Sequence, residues 1–158
     1  MRSGLTRMLP GALAAGSLAF LSIVGTASAA GSENGHSQRI YVATLTGAAE
    51  VPGPGEEEGA GSAWISVDEG ARKICWVLAQ SGLSEPNAAH IHIGSADIAG
   101  PVVVPLNVPT EGTSEGCTEG IDRTLIRSIM NNPTDYYVNI HTDEYPGGAI
   151  RGQLNFPH

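Results

Sequence analysis

Positive charge is scarce in this chain of 158 residues: 8 Lys and Arg stand against 16 Asp and Glu, for a formal net charge of -8. Two of the eight, Arg2 and Arg7, fall at the very start of the chain. A surface that grips nucleic acid needs clustered Lys and Arg to neutralise phosphates, so that class of partner is excluded. The same shortage argues against electrostatic docking on anionic membranes. Aromatic residues make up only 5% and Cys numbers 2. No serine sits in a G-x-S-x-G elbow, and no glycine-rich loop opens a helix to cradle phosphate. After the N-terminal segment, no apolar run is long enough to span a bilayer. Gly and Pro, by contrast, are plentiful at 21 and 10 residues, well above their usual combined share. That composition favours many strands joined by turns over a helical bundle.

The first 29 residues read as an export signal. Met1 to Arg7 carries the positive charge, Met8 to Gly25 is apolar or small, and Ala27-Ser28-Ala29 is an A-x-A cleavage site. Pro10, Gly11 and Gly16 interrupt the apolar run, which argues against an uncleaved span. Cleavage near Ala29 predicts a secreted or extracytoplasmic protein whose mature form has no membrane span. In such an oxidising compartment a pair of cysteines usually bridges, so Cys75 and Cys117 are expected to form a disulfide. Residues 30–38 (AGSENGHSQ) are small and polar and predict a disordered leader, leaving 39–156 as one domain.

Within that domain the apolar periodicity is that of strands. Ile40–Leu45 is extended in character. Ala60–Asp68 alternates, with Ala63, Ile65 and Val67 on one face and Trp64 on the other. Lys73–Gln80 puts Ile74, Trp76 and Leu78 together. Ala88–Gly94, Pro101–Leu106, Tyr136–His141 and Ala149–Phe156 complete the set. Val51–Gly59, with Pro52, Pro54 and three consecutive glutamates, reads as an exposed acidic loop. One helix is predicted over Ile121–Met130, where Ile121, Leu125, Ile126, Ile129 and Met130 form a stripe that Asn131-Asn132-Pro133 ends. The expected fold class is all-β: a Greek-key antiparallel β-sandwich or flattened barrel of about seven strands with one short helix.

Three histidines carry the chemistry. In Ala89-His90-Ile91-His92-Ile93, core-facing Ile91 and Ile93 turn His90 and His92 together to the opposite face, because strand side chains repeat every two residues. In Tyr136-Tyr137-Val138-Asn139-Ile140-His141 the same logic turns Asn139 and His141 outward. The last strand buries Ile150, Leu154 and Phe156, leaving Arg151 and Gln153 on its outer face. If the His141 strand lies beside the His90 strand, three ring nitrogens converge. Three neutral imidazoles without a thiolate or carboxylate suit one copper or zinc ion. The competing reading is three unrelated histidines in solvent, and strand register decides between the two. Arg151 is either an anion-steering group beside such an ion or the partner of a carboxylate.

Five blocks then look familiar in order and spacing: Leu45-Thr46-Gly47-Ala48-Ala49-Glu50-Val51-Pro52, Ala88–Gly94, Gly100–Leu106, Tyr136–Thr142 and Pro146–Leu154. Together they resemble the CHRD (chordin) domain over residues 40 to 155. The resemblance implies an extracellular all-β module without known catalytic activity. In chordin, which binds secreted growth factors, cysteine-rich modules accompany it; they have no counterpart here, so growth-factor antagonism does not carry over. His90, His92, His141 and Arg151 also follow the order of the copper site in copper–zinc superoxide dismutase barrels. No His lies between His92 and His141, and Asp97, Asp122 and Asp135 are not spaced as zinc ligands, so that likeness leaves at most one metal. The expected function is a secreted or envelope-associated, non-enzymatic binding module for an extracellular protein or envelope component, with a copper or zinc site. A single-copper dismutase-like redox enzyme and a purely structural extracellular domain are the alternatives.

Overall fold

The computed structural model describes residues 37–157. The expected signal and residues 30–36 of the expected leader lie outside them. The leader's last expected residue instead opens the first strand. The elements are β1 (Gln38–Thr46), β2 (Ala60–Asp68), β3 (Lys73–Ser81), β4 (Pro86–Ile93), β5 (Val102–Leu106), β6 (Thr113–Thr118), α1 (Arg123–Asn131), β7 (Tyr136–Thr142) and β8 (Ile150–Gln153).

All eight strands join one antiparallel sheet in the order β5-β4-β7-β8-β1-β2-β3-β6. The sheet curls into a nearly closed barrel, the flattened-barrel form of the expected architecture. Asn107, just past β5, helps draw the two rims together. Its Nδ2 donates to Glu115 O at 2.9 Å, and Ser114 Oγ donates to Asn107 O at 2.7 Å.

Strand alternation sorts the side chains as the sequence predicts. Ala63, Ile65 and Val67 of β2 are fully buried and Trp64 between them faces solvent; Ile74, Trp76 and Leu78 of β3 are buried likewise. Tyr41, Leu45, Ile91, Val138, Ile140, Ile150 and Leu154 complete the inner wall. Each such aliphatic side chain contributes roughly 1.5–3 kcal/mol by leaving water. Into this interior α1 packs Ile126, Ile129 and Met130. Asp122 caps it, accepting from Thr124 N at 2.7 Å and Leu125 N at 3.3 Å, which satisfies two of the backbone donors a helix start leaves free. At the other end Met130 O accepts from Arg39 Nη1 and Tyr41 Oη, which ties the helix to β1.

Several expectations are corrected. Thr113–Thr118 was not among the expected strands, yet it pairs with β3 and carries Cys117. Cys75 and Cys117 are directly opposite in that register and form a disulfide. Phe156 is exposed, because β8 ends at Gln153 and only a bridge from Asn155 to Val42 continues the pairing. Ile93 is also exposed, lying at the end of β4 where the chain leaves the sheet. Among the described residues, no helix is long and apolar enough to cross a membrane.

Candidate functional site

β4 and β7 are neighbours, and their register answers the question that the histidine spacing raised. His90 stands opposite Asn139, His92 opposite Tyr137 and Ala88 opposite His141. On the far side of β7, Arg151 stands opposite Asn139 and Gln153 opposite Tyr137. The outer faces of β4, β7 and β8 therefore share one polar layer. The three rings meet there, with centroids 5.1 Å apart for His90 and His141, 5.4 Å for His90 and His92, and 5.9 Å for His92 and His141. One ring nitrogen from each lies within 4.8 Å of the others.

The layer is not the open surface that alternation suggested. The segment from Gly94 to Gly100 folds back over it. Gly100 O accepts from His92, Ile98 O and Ser95 O accept from Arg151, and Gly94 O accepts from Gln153. His92, held by this segment, and His141, held by Pro146, are buried, and His90 is half-buried.

The covering loops also settle the ring tautomers. His92 Nδ1 lies 2.9 Å from Gly100 O and His141 Nδ1 lies 3.1 Å from Pro146 O. A carbonyl only accepts, so both Nδ1 atoms carry the proton and both Nε2 atoms present a lone pair to the cluster. His90 Nδ1, 3.2 Å from His141 Nε2, donates to it. His92 Nε2 is left buried with no partner. Burial pushes all three imidazoles below the ordinary value; His141 falls to about 4, although its bond to Pro146 acts against the shift. Neutral rings held by outer hydrogen bonds to carbonyls are the usual form of metal-ligating histidines. Nitrogens on an ion at about 2.0–2.1 Å stand roughly 3.3 Å apart, so small ring rotations would complete the convergence.

Arg151 is placed differently from the expectation. It is 1% exposed, its Cζ lies 3.5 Å from the centroid of the Tyr137 ring, and its donors are taken by Ser95 O, Ile98 O and Gln153 Oε1. Anion steering needs an open guanidinium, and a covering loop denies it one. Tyr137 in turn stacks on His92, with centroids 4.8 Å apart and planes 9° from parallel.

Sequence reasoning missed Glu50, which lies buried beside this layer and accepts from Asn139 Nδ2 at 2.8 Å. Burial raises its carboxyl to about 7 against the opposing pull of Arg151, Asn139 and the Val51 amide. Glu50 is one of 16 acidic residues, and its only distinguishing mark was a place between two small residues and Val-Pro. A separate apolar hollow of about 150 Å³ beside Ile40, Trp64 and Val77 has no titratable group in its lining.

Fold and site together define an all-β, barrel-like module with a histidine cluster on the outer face of two adjacent strands. The family model of the CHRD domain matches residues 41–154, and the chain belongs to that family. No curated protein and no solved structure matches it.

Proposed function

We propose that this chain is an exported, non-enzymatic CHRD module that binds one copper or zinc ion through His90 Nδ1, His92 Nε2 and His141 Nε2. One observation carries the reading: the lone pair of His92 Nε2 is buried without a partner and faces two other ring nitrogens. A buried acceptor left unpaired costs about 1–3 kcal/mol, and an ion held by His92 Nε2 removes that cost. The donor set, all imidazole nitrogen, suits copper and zinc better than magnesium or calcium. Binding through His90 Nδ1 would place that ring's proton on Nε2 instead and break its hydrogen bond to His141 Nε2. The disulfide and the A-x-A site support an extracytoplasmic location, and the acidic composition supports a protein or envelope partner rather than a nucleic acid.

The test is a titration of the protein from Ala30 onward with copper and with zinc, repeated on His92→Ala. Stoichiometric uptake that the variant loses supports the site. Equal, weak uptake by both proteins removes it and leaves a structural extracellular domain. Superoxide turnover by the copper-loaded protein would move the assignment to a redox enzyme, for which the buried Arg151 supplies no steering group.

A further inference from the structure

Behind the histidine trio lies a stack of three groups that the binding reading does not use: the Arg151 guanidinium, the Tyr137 ring and the His92 ring. Arg151 lies over Tyr137 and Tyr137 lies flat on His92. The guanidinium has no carboxylate within ion-pair distance among the described residues, since the one salt bridge there joins Arg127 and Glu69. Its hydrogen bonds go to two backbone carbonyls and an amide oxygen, none of which carries a formal charge. The carboxylates that act on it electrostatically are Glu50, buried and held by Asn139, and Asp97, exposed on the covering loop. A fixed positive charge without a salt-bridge partner thus stands one aromatic ring away from a proposed metal ligand, in surroundings that screen it poorly.

We propose that Arg151 biases the trio toward metal of low charge, so that the site selects Cu(I) over divalent copper and zinc. This rests on the metal-binding reading above. Two physical facts combine. Three neutral imidazoles return no negative charge to an incoming cation, so its whole charge is felt by the surroundings. Repulsion by a neighbouring guanidinium then grows in proportion to that charge and is twice as large for a divalent ion as for Cu(I). Soft, polarisable Cu(I) is also satisfied by three nitrogen ligands without an anion. Tyr137 fixes the spacing, because its ring cannot leave the stack while its hydroxyl is engaged by Gly100.

The experiment measures the reduction potential of the copper-loaded protein, together with Cu(I) affinity under anaerobic ascorbate and Zn(II) affinity. Arg151→Gln removes the charge; Arg151→Lys keeps it while losing the planar fork. We expect Arg151→Gln to reduce the preference for Cu(I) over Cu(II) about tenfold, which is a fall of about 59 mV for a one-electron couple, and Arg151→Lys to stay near the wild type. Equal falls in both variants, or no fall in Arg151→Gln, would overturn the proposal, because a purely structural arginine does not distinguish the two. Should Arg151→Gln fail to fold, Asp97→Asn on the exposed loop serves instead. Removing that anion must raise the potential, and an unchanged value overturns the idea. If the wild type takes up no copper at all, the metal-binding reading falls with it. If it takes up copper but the potential ignores these charges, only the selectivity falls.

Discussion

Replacing Glu50 with Gln removes a charge from the barrel wall while preserving the oxygen that accepts from Asn139. The carboxyl is buried and raised to about 7 from an ordinary 4.5. Below pH 4.5 it is protonated in both folded and unfolded chains and imposes no penalty. Between pH 4.5 and 7 the unfolded chain releases the proton while the folded chain retains it, so stability falls as pH rises through this window. Above about 7 the folded carboxyl also ionises and the loss levels off. A difference of that size corresponds to roughly 3 kcal/mol at 1.36 kcal/mol per unit. The three histidines act in the opposite sense: their folded values are lowered, so they add stability as pH rises toward 6.5. The difference between wild type and Glu50→Gln cancels them and isolates the carboxyl. Urea denaturation at pH 4, 6 and 8 should show the two proteins close together at pH 4, with Glu50→Gln gaining up to about 3 kcal/mol by pH 8. Parallel profiles, or a variant that is less stable at pH 8, would refute the assignment of a carboxyl whose burial outweighs the pull of Arg151 and Asn139.

Two further outcomes can be measured on simple variants. The double substitution Cys75→Ser with Cys117→Ser should lower the urea midpoint by an amount equivalent to about 2–4 kcal/mol, since the bridge closes a loop with a sequence separation of 42; an unchanged midpoint would mean that β6 is held by other contacts. Gly100→Ala places a methyl group against the carbonyl of Ile93 and should displace the Gly100 oxygen that orients His92. Copper uptake measured by titration should weaken about tenfold, the lower end for loss of an outer-shell partner, with the far-UV circular dichroism unchanged. Wild-type affinity in that variant would show that His92 needs no such support.

The inner wall was legible because it obeys a local rule. Alternation in Ala60–Asp68 and Lys73–Gln80 named the buried side chains in advance, and the H-x-H spacing put two imidazoles on one face. β6 was missed because Thr-Ser-Glu-Gly-Cys-Thr buries nothing: every residue is exposed or half-buried, so no apolar signal marks a strand held at a rim by its neighbour and a sulfur bridge. The burial of His92, His141 and Arg151 was missed for a different reason. Periodicity tells which face a side chain occupies, but not whether that face meets water or another part of the chain. Over His92 and Arg151 the cover is the Gly94–Gly100 segment, whose carbonyls reach Arg151 and Gln153 across more than fifty residues of sequence, and beside His141 it is the turn carrying Pro146. Glu50 escaped notice on the same grounds, since its partner Asn139 is 89 residues away.

The outermost strand also has a consequence for how the barrel comes apart. β6 brings almost no hydrophobic adhesion to the barrel, so its attachment depends on its backbone ladder with β3, one covalent staple and the Asn107 clasp. A reducing milieu would let that border fray first and bare the backbone donors and acceptors of β3, a template for pairing with a strand from another molecule. The imidazoles lie next to the other border, between β5 and β8, so unravelling that begins at β6 would leave their cradle until last.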